Sequence, residues 1–148
     1  MKAVDFFDSF CEVPGEVSLV ISISGCPFSC KGCHSSYLQD SSVGVELTPG
    51  LIKQHLNPLH NCVCFFGGET FSGFPSILKW CKEMGLKTTL YTGNTKVEES
   101  ILLLLDYVKL GPYSERLGGL DKHTTNQKFI RVRDWKDLTH LFQRDEND

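Results

Sequence analysis

Four short strand-like runs, each halted by a glycine, constrain the fold of this chain more than any other feature. Val17 to Ser24 runs into Gly25, Cys62 to Phe66 into Gly67, Lys87 to Tyr91 into Thr92-Gly93, and Tyr107 to Leu110 into Gly111. The first is β-branched and largely alternating, and the second is continuously apolar, as a strand buried on both faces must be. Helical patterns separate them. Thr48-Pro49 offers an N-cap with proline at the first helical position, ahead of a stripe through Leu51, Ile52, Leu56 and Leu59. A second stripe, Ile77, Leu78, Cys81 and Met84, ends at Gly85. Thr95 to Glu98 fits a capping box, with Val97, Ile101, Leu104 and Leu105 beyond it. Phe129 to Val132 reads as a fifth strand, and Asp134 as the cap of a last helix.

Strands alternating with helices pair in parallel through right-handed crossovers, so the expected fold is α/β. The strand count is too small for a closed eight-stranded barrel and predicts a partial, open β/α barrel of about five to six mostly parallel strands with flanking helices. A single domain spanning residues 1–148 is expected. Ligands in such folds gather at the carboxyl ends of the strands. The unusual segments of this chain fall just past those ends, so one rim of the sheet is predicted to carry the whole site.

Composition bears on the chemistry of that rim. The chain holds seven cysteines, an odd and unevenly spaced set that fits a paired disulfide framework poorly. The first residues carry acids where a signal peptide needs an apolar core, and runs such as Ile101 to Leu105 are too short to span a bilayer. The expected location is cytoplasmic, where thiols stay reduced and clustered cysteines serve metals or redox catalysis. A net charge of −3 gives no broad basic surface for nucleic acid, and Lys128, Arg131 and Arg133 read as a solvated strand edge. Neither nucleic acid nor membrane is expected as a partner.

The strongest motif is Gly25-Cys26-Pro27-Phe28-Ser29-Cys30-Lys31-Gly32-Cys33-His34, in which Cys26, Cys30 and Cys33 follow a C-x3-C-x2-C spacing. Three thiolates so close together can reach three corners of one cubane, leaving a fourth iron open for a substrate or cofactor. A structural zinc site completed by His34, Cys62 or Cys64 is the competing reading, and spacing alone leaves both open. Zinc ribbons draw ligand pairs from separate turns, whereas this is one triplet at a strand end. Cys62, Cys64 and Cys81 occupy apolar positions and are expected in the core, with Cys11 at the surface. Phe71 and Phe74, flanking small residues after Glu69, are expected to lie exposed near the open rim as a partner surface or lid.

The triplet with His34, followed by Gly67-Gly68-Glu69 after the next strand, resembles the radical S-adenosylmethionine superfamily. That resemblance implies a 4Fe-4S cluster on Cys26, Cys30 and Cys33, which are then both the metal ligands and the catalytic residues. It implies S-adenosylmethionine on the open iron, with Gly32, Cys33, His34, Gly67, Gly68, Glu69 and Thr92 as cofactor contacts. Glycine there lets the backbone approach the methionine amino group closely.

Within the superfamily the chain is similar, over nearly its whole length, to the activating proteins of anaerobic ribonucleoside-triphosphate reductases. The likeness rests on Pro14-Gly15, Ser24-Gly25-Cys26, Tyr91-Thr92-Gly93, and the stretch from Gly111-Pro112-Tyr113 to Thr125-Asn126-Gln127. Where that family often has Gly-Gly-Asp-Pro and a tyrosine followed by asparagine, this chain has Gly67-Gly68-Glu69-Thr70 and His34-Ser35. The first change keeps a carboxylate and the second a flat ring.

The implied activity is reductive cleavage of S-adenosylmethionine to methionine and a 5′-deoxyadenosyl radical, which takes hydrogen from a glycine of the large reductase. The implied partners are that glycyl-radical protein and an electron donor such as a flavodoxin. A radical enzyme acting on a small molecule, as in deazapurine synthesis, is the alternative. Further off stand a zinc-stabilised or iron–sulfur binding module and a plain electron carrier.

Overall fold

The computed structural model describes residues 1–25 and 44–143. Its elements, in chain order, are β1 (Lys2–Ser9), β2 (Ser18–Ile23), β3 (Val45–Glu46), α1 (Pro49–His55), β4 (Cys62–Phe66), α2 (Phe74–Glu83), β5 (Lys87–Tyr91), α3 (Glu99–Leu102), β6 (Tyr107–Leu110), β7 (Lys128–Arg131) and β8 (Lys136–Asp137). Short 3-10 turns span Val132–Asp134 and Thr139–Phe142. The strands form one mixed sheet in the order β3-β1-β2-β4-β5-β6-β7-β8. Its middle, β2-β4-β5-β6, is parallel. Antiparallel pairs close both flanks, β1 against β2 and β3 against β1 on one side, β7 against β6 and β8 against β7 on the other.

The parallel strands form where the sequence places them because they are buried on both faces. Every residue of β2 is buried, as are Cys62 to Phe65 of β4. Alternate side chains divide the core in two, as strand geometry requires. Leu19, Ile21, Ile23, Val63, Phe65, Leu90 and Val108 pack on one face with Ile52 of α1, Ile77, Leu78 and Cys81 of α2 and Ile101 of α3. The other face bears Val20, Cys62, Cys64 and Phe129, covered by Val13 from the β1–β2 connection and Leu138 near the C-terminal turn. The three helices therefore share one face, and the opposite face is closed by loops.

Several expectations need correction. Phe74 is fully buried, its ring edge-on to Phe65 at 5.3 Å, because Gly73 is the N-cap of α2 and Pro75 stands in its first turn. Phe71 is partly buried against the same core. The Thr95–Glu98 capping box does not form: α3 begins at Glu99 with Glu98 as an N-cap that makes no side-chain hydrogen bond, and it covers four residues. The last helix is also absent among the described residues. Asp134 is gripped by Arg131 through Nε at 2.9 Å and Nη2 at 2.7 Å, and Trp135 adopts a left-handed φ of 51° that ends the turn. That bidentate fork, with the guanidinium holding the Asp134 carboxyl down at about 2, occupies the group that would have capped a helix. Thr48, by contrast, caps α1 as expected, its Oγ1 accepting from the Leu51 amide at 3.1 Å.

Candidate functional site

The parallel register brings the carboxyl ends of β2, β4, β5 and β6 to one rim. Ser22 is level with Phe66 and Phe66 with Tyr91, while Tyr91 pairs with Lys109 of β6. The ladder continues one step past the strands, since the Gly67 amide donates to Tyr91 O at 3.0 Å and the Thr92 amide to Lys109 O at 2.9 Å. A Cβ on Gly67 would stand 3.8 Å from the Ile23 carbonyl, so the Gly67 turn lies beside the end of β2. Gly25, with a φ of 86°, then leads directly into Cys26. Cys26, Cys30, Gly32, Cys33 and His34 lie outside the described residues.

Four of the expected cofactor contacts meet at this rim: Gly67, Gly68, Glu69 and Thr92. Gly67 and Gly68 take φ values of 86° and 107°, which favour glycine strongly. Gly68 has a second reason to be glycine. A Cβ there would come within 3.2 Å of the Phe74 ring and 3.3 Å of Met1 Sδ, so a side chain would crowd the core whatever binds above.

Glu69 is the centre of the polar network. Its Oε1 accepts from the Thr92 hydroxyl and from Asn94 Nδ2, the latter at 3.1 Å. Thr92 is buried, and its Oγ1 also accepts from the Asn94 amide at 3.0 Å. Both donors reach the same carboxylate oxygen, and no hydrogen bond among the described residues reaches Oε2. An anionic oxygen fixed through its twin is a ready acceptor for a ligand ammonium or hydroxyl.

Sequence reasoning missed three members of this rim. Asn94 lies in a segment read as a strand terminator. Gln127, buried, donates from Nε2 to Gly111 O at 3.3 Å. Lys109, buried on β6, donates from Nζ to Thr92 O and to Gly111 O, each at 3.1 Å, with its ammonium 5.7 Å from the Tyr91 ring centre. The Gly111 amide in turn donates to Asn94 O at 2.8 Å. The two ends of the long Gly111 to Gln127 stretch are tied together, Asn126 Nδ2 donating to Pro112 O at 3.2 Å.

Below the rim, the loop-covered face is lined by aromatic rings. Phe66 and Tyr91 lie 5.0 Å apart, Tyr91 and Phe129 6.1 Å, and Phe129 and Phe142 5.0 Å. The Tyr91 hydroxyl donates to Glu12 O, which ties the β1–β2 connection down over this face, and burial raises the Tyr91 pKa well above its ordinary value. Burial likewise raises the pKa of the half-buried Glu12 carboxyl.

Cys62, Cys64 and Cys81 are buried and Cys11 is exposed, all four without disulfides. Desolvation pushes the Cys64 thiol well above its usual range and Cys81 to about 12. Cys62 is raised for the same reason, with its Sγ 3.4 Å from Thr89 Oγ1. Burial of these three in the core disfavours the thiolate that a metal would need. Among the described residues no group of three or more potential ligand side chains converges as a metal site, nor is any helix long and apolar enough to cross a membrane.

Comparison with known families gives the class, an iron–sulfur protein. The model of the 4Fe-4S single cluster domain family matches residues 13–118, more than two thirds of the chain, and the protein belongs to that family. No curated protein matches it. The matched span runs from the β1–β2 connection through the triplet, the Glu69 network and β6.

Proposed function

We propose that this protein is a radical S-adenosylmethionine enzyme that generates the glycyl radical of an anaerobic ribonucleoside-triphosphate reductase. The observation that carries the proposal is the Glu69–Thr92–Asn94 network at the ends of β4 and β5, beside the end of β2 from which the triplet departs. The donor set fits the cofactors. Cys26, Cys30 and Cys33 would hold a 4Fe-4S cluster, the three thiols buried elsewhere being too poorly ionised to compete. When bound, the cluster supplies one electron for reductive cleavage of the sulfonium.

The chain's own residues account for the rest. Glu69 Oε2 is the acceptor for the methionine ammonium, and Thr92 and Asn94 fix the carboxylate that receives it. Gly32, Cys33, His34, Gly67 and Gly68 remain proposed contacts, His34 offering a flat ring to the adenine. Phe66 and Tyr91 line an apolar floor that keeps water from a reactive species. Among the described residues the helices α1, α2 and α3 share one face, and the sheet is read as a partial β/α barrel with its loop-covered face inward, since a doubly wound sheet carries helices on both faces. Partners in this reading are the large glycyl-radical reductase and an electron donor such as a flavodoxin.

The test is electron paramagnetic resonance on an anaerobic mixture of iron-reconstituted protein, dithionite, S-adenosylmethionine and the large reductase subunit. A glycyl-radical doublet on the reductase is expected. Release of 5′-deoxyadenosine without that doublet would instead indicate a radical enzyme acting on a small molecule.

A further inference from the structure

The buried ammonium of Lys109 has no role in the reading above, yet it sits at the rim. Burying an amine is costly unless its protons are matched by acceptors. Here two of those acceptors are the Thr92 and Gly111 carbonyls, each at 3.1 Å, the first residue past β5 and the first past β6. Thr92 is thus held by its amide to Lys109 O, by its carbonyl to Lys109 Nζ and by its hydroxyl to Glu69. Gly111 is held by its amide to Asn94 O, and its carbonyl is shared by Lys109 and by Gln127. The side chains of Glu69, Thr92 and Asn94 are hydrogen-bonded to one another, and Lys109 on β6 joins this network through the Thr92 backbone carbonyl.

We propose that Lys109 is a positioning residue for S-adenosylmethionine binding: it clamps the Thr92 and Gly111 carbonyls, so that Thr92 and Asn94 hold Glu69 Oε1 and leave Oε2 for the ligand ammonium. This rests on the proposed function. In this role Lys109 acts through Thr92. Without the ammonium, the Thr92 carbonyl loses its side-chain donor, Thr92 is left to its amide and hydroxyl bonds, and the carboxylate is presented less firmly.

A double-mutant cycle separates positioning from a general structural role. Equilibrium dialysis of labelled S-adenosylmethionine is run on anaerobic, cluster-loaded protein without reductant, for the unmodified chain, Lys109→Met, Thr92→Val and the double variant. Iron content and circular dichroism are measured in parallel. Lys109→Met is expected to keep its iron and weaken binding about tenfold, the loss of one charge-assisted contact's worth of alignment. The double variant is expected to bind no more weakly than the weaker single variant. Unchanged affinity in Lys109→Met, or losses that multiply in the double variant, would overturn the proposal while leaving the function intact. Absence of binding by the unmodified chain would overturn the function and this inference with it. Should Lys109→Met not fold, Lys109→Leu, which also lacks a donor, carries the same cycle with the same outcomes.

Discussion

Cys30→Ala is expected to abolish iron–sulfur loading, whereas Cys81→Ala is expected to leave it intact. The contrast follows from ionisation. A ligand thiol must surrender its proton, and metal binding is linked to that loss. Cys81 is fully buried against Ile77, Leu78 and the strand core, with its thiol pushed to about 12, so at neutral pH it holds its proton and offers no thiolate. Its replacement removes only a small apolar group, at a cost of about 1 kcal/mol, so iron per chain should not change. Cys30 belongs to the only three cysteines of the chain that fall within eight residues of one another. With two thiolates left, a cubane loses a second corner and is not retained. Iron and sulfide per chain, with absorbance near the visible cluster band, read both variants. Equal iron loss from the two would show that the ligands lie elsewhere.

The second large effect is expected at Glu69. Glu69→Ala removes the acceptor to which Thr92 and Asn94 both donate, and with it the anionic oxygen offered to a ligand ammonium. A hydrogen bond to a charged group contributes about 1.5–3 kcal/mol, so S-adenosylmethionine affinity should fall about 10- to 100-fold. Glu69→Gln keeps an oxygen for the two donors but removes the charge, and should retain the rim geometry while still binding at least about tenfold more weakly. Glu69 is only half-buried, so neither variant should lose its fold; unfolding midpoints within a few degrees of the unmodified chain check this. Wild-type affinity in Glu69→Gln would mean that the carboxylate is a loop fastener and not a ligand contact.

Which of these features could be read from the sequence follows from how each is buried. The four parallel strands are legible because their middles are buried on both faces, and three of them run into glycines with positive φ, Gly25, Gly67 and Gly111. β1 is not, because its exposure is irregular, with Phe7 exposed and a register shift between Ala3 and Asp5 that breaks the alternation. β3 and β8 are two-residue pairs with every residue exposed, too short to leave any periodic mark. Phe74 reads as a loop residue because glycine and proline flank it, yet those neighbours start a helix.

At the site, Gly67, Gly68, Glu69 and Thr92 are legible because glycines and a carboxylate directly past a strand are out of place in a core. Lys109 is invisible by the same logic. A lysine near a strand end normally snorkels to water, whereas this one is buried with two carbonyls in reach of its ammonium. Gln127 is similar. It lies seventeen residues beyond Leu110, and the strand pairing of β6 with β7 is what returns it to Gly111.

The central claim is that an iron–sulfur cluster and S-adenosylmethionine meet at this rim. Electron paramagnetic resonance of the dithionite-reduced, reconstituted protein tests it most directly, recorded with and without S-adenosylmethionine. The account predicts a reduced 4Fe-4S signal whose g values shift on addition of S-adenosylmethionine, with the shift lost or weakened in Glu69→Ala. A reduced cluster signal that is identical with and without S-adenosylmethionine would contradict it.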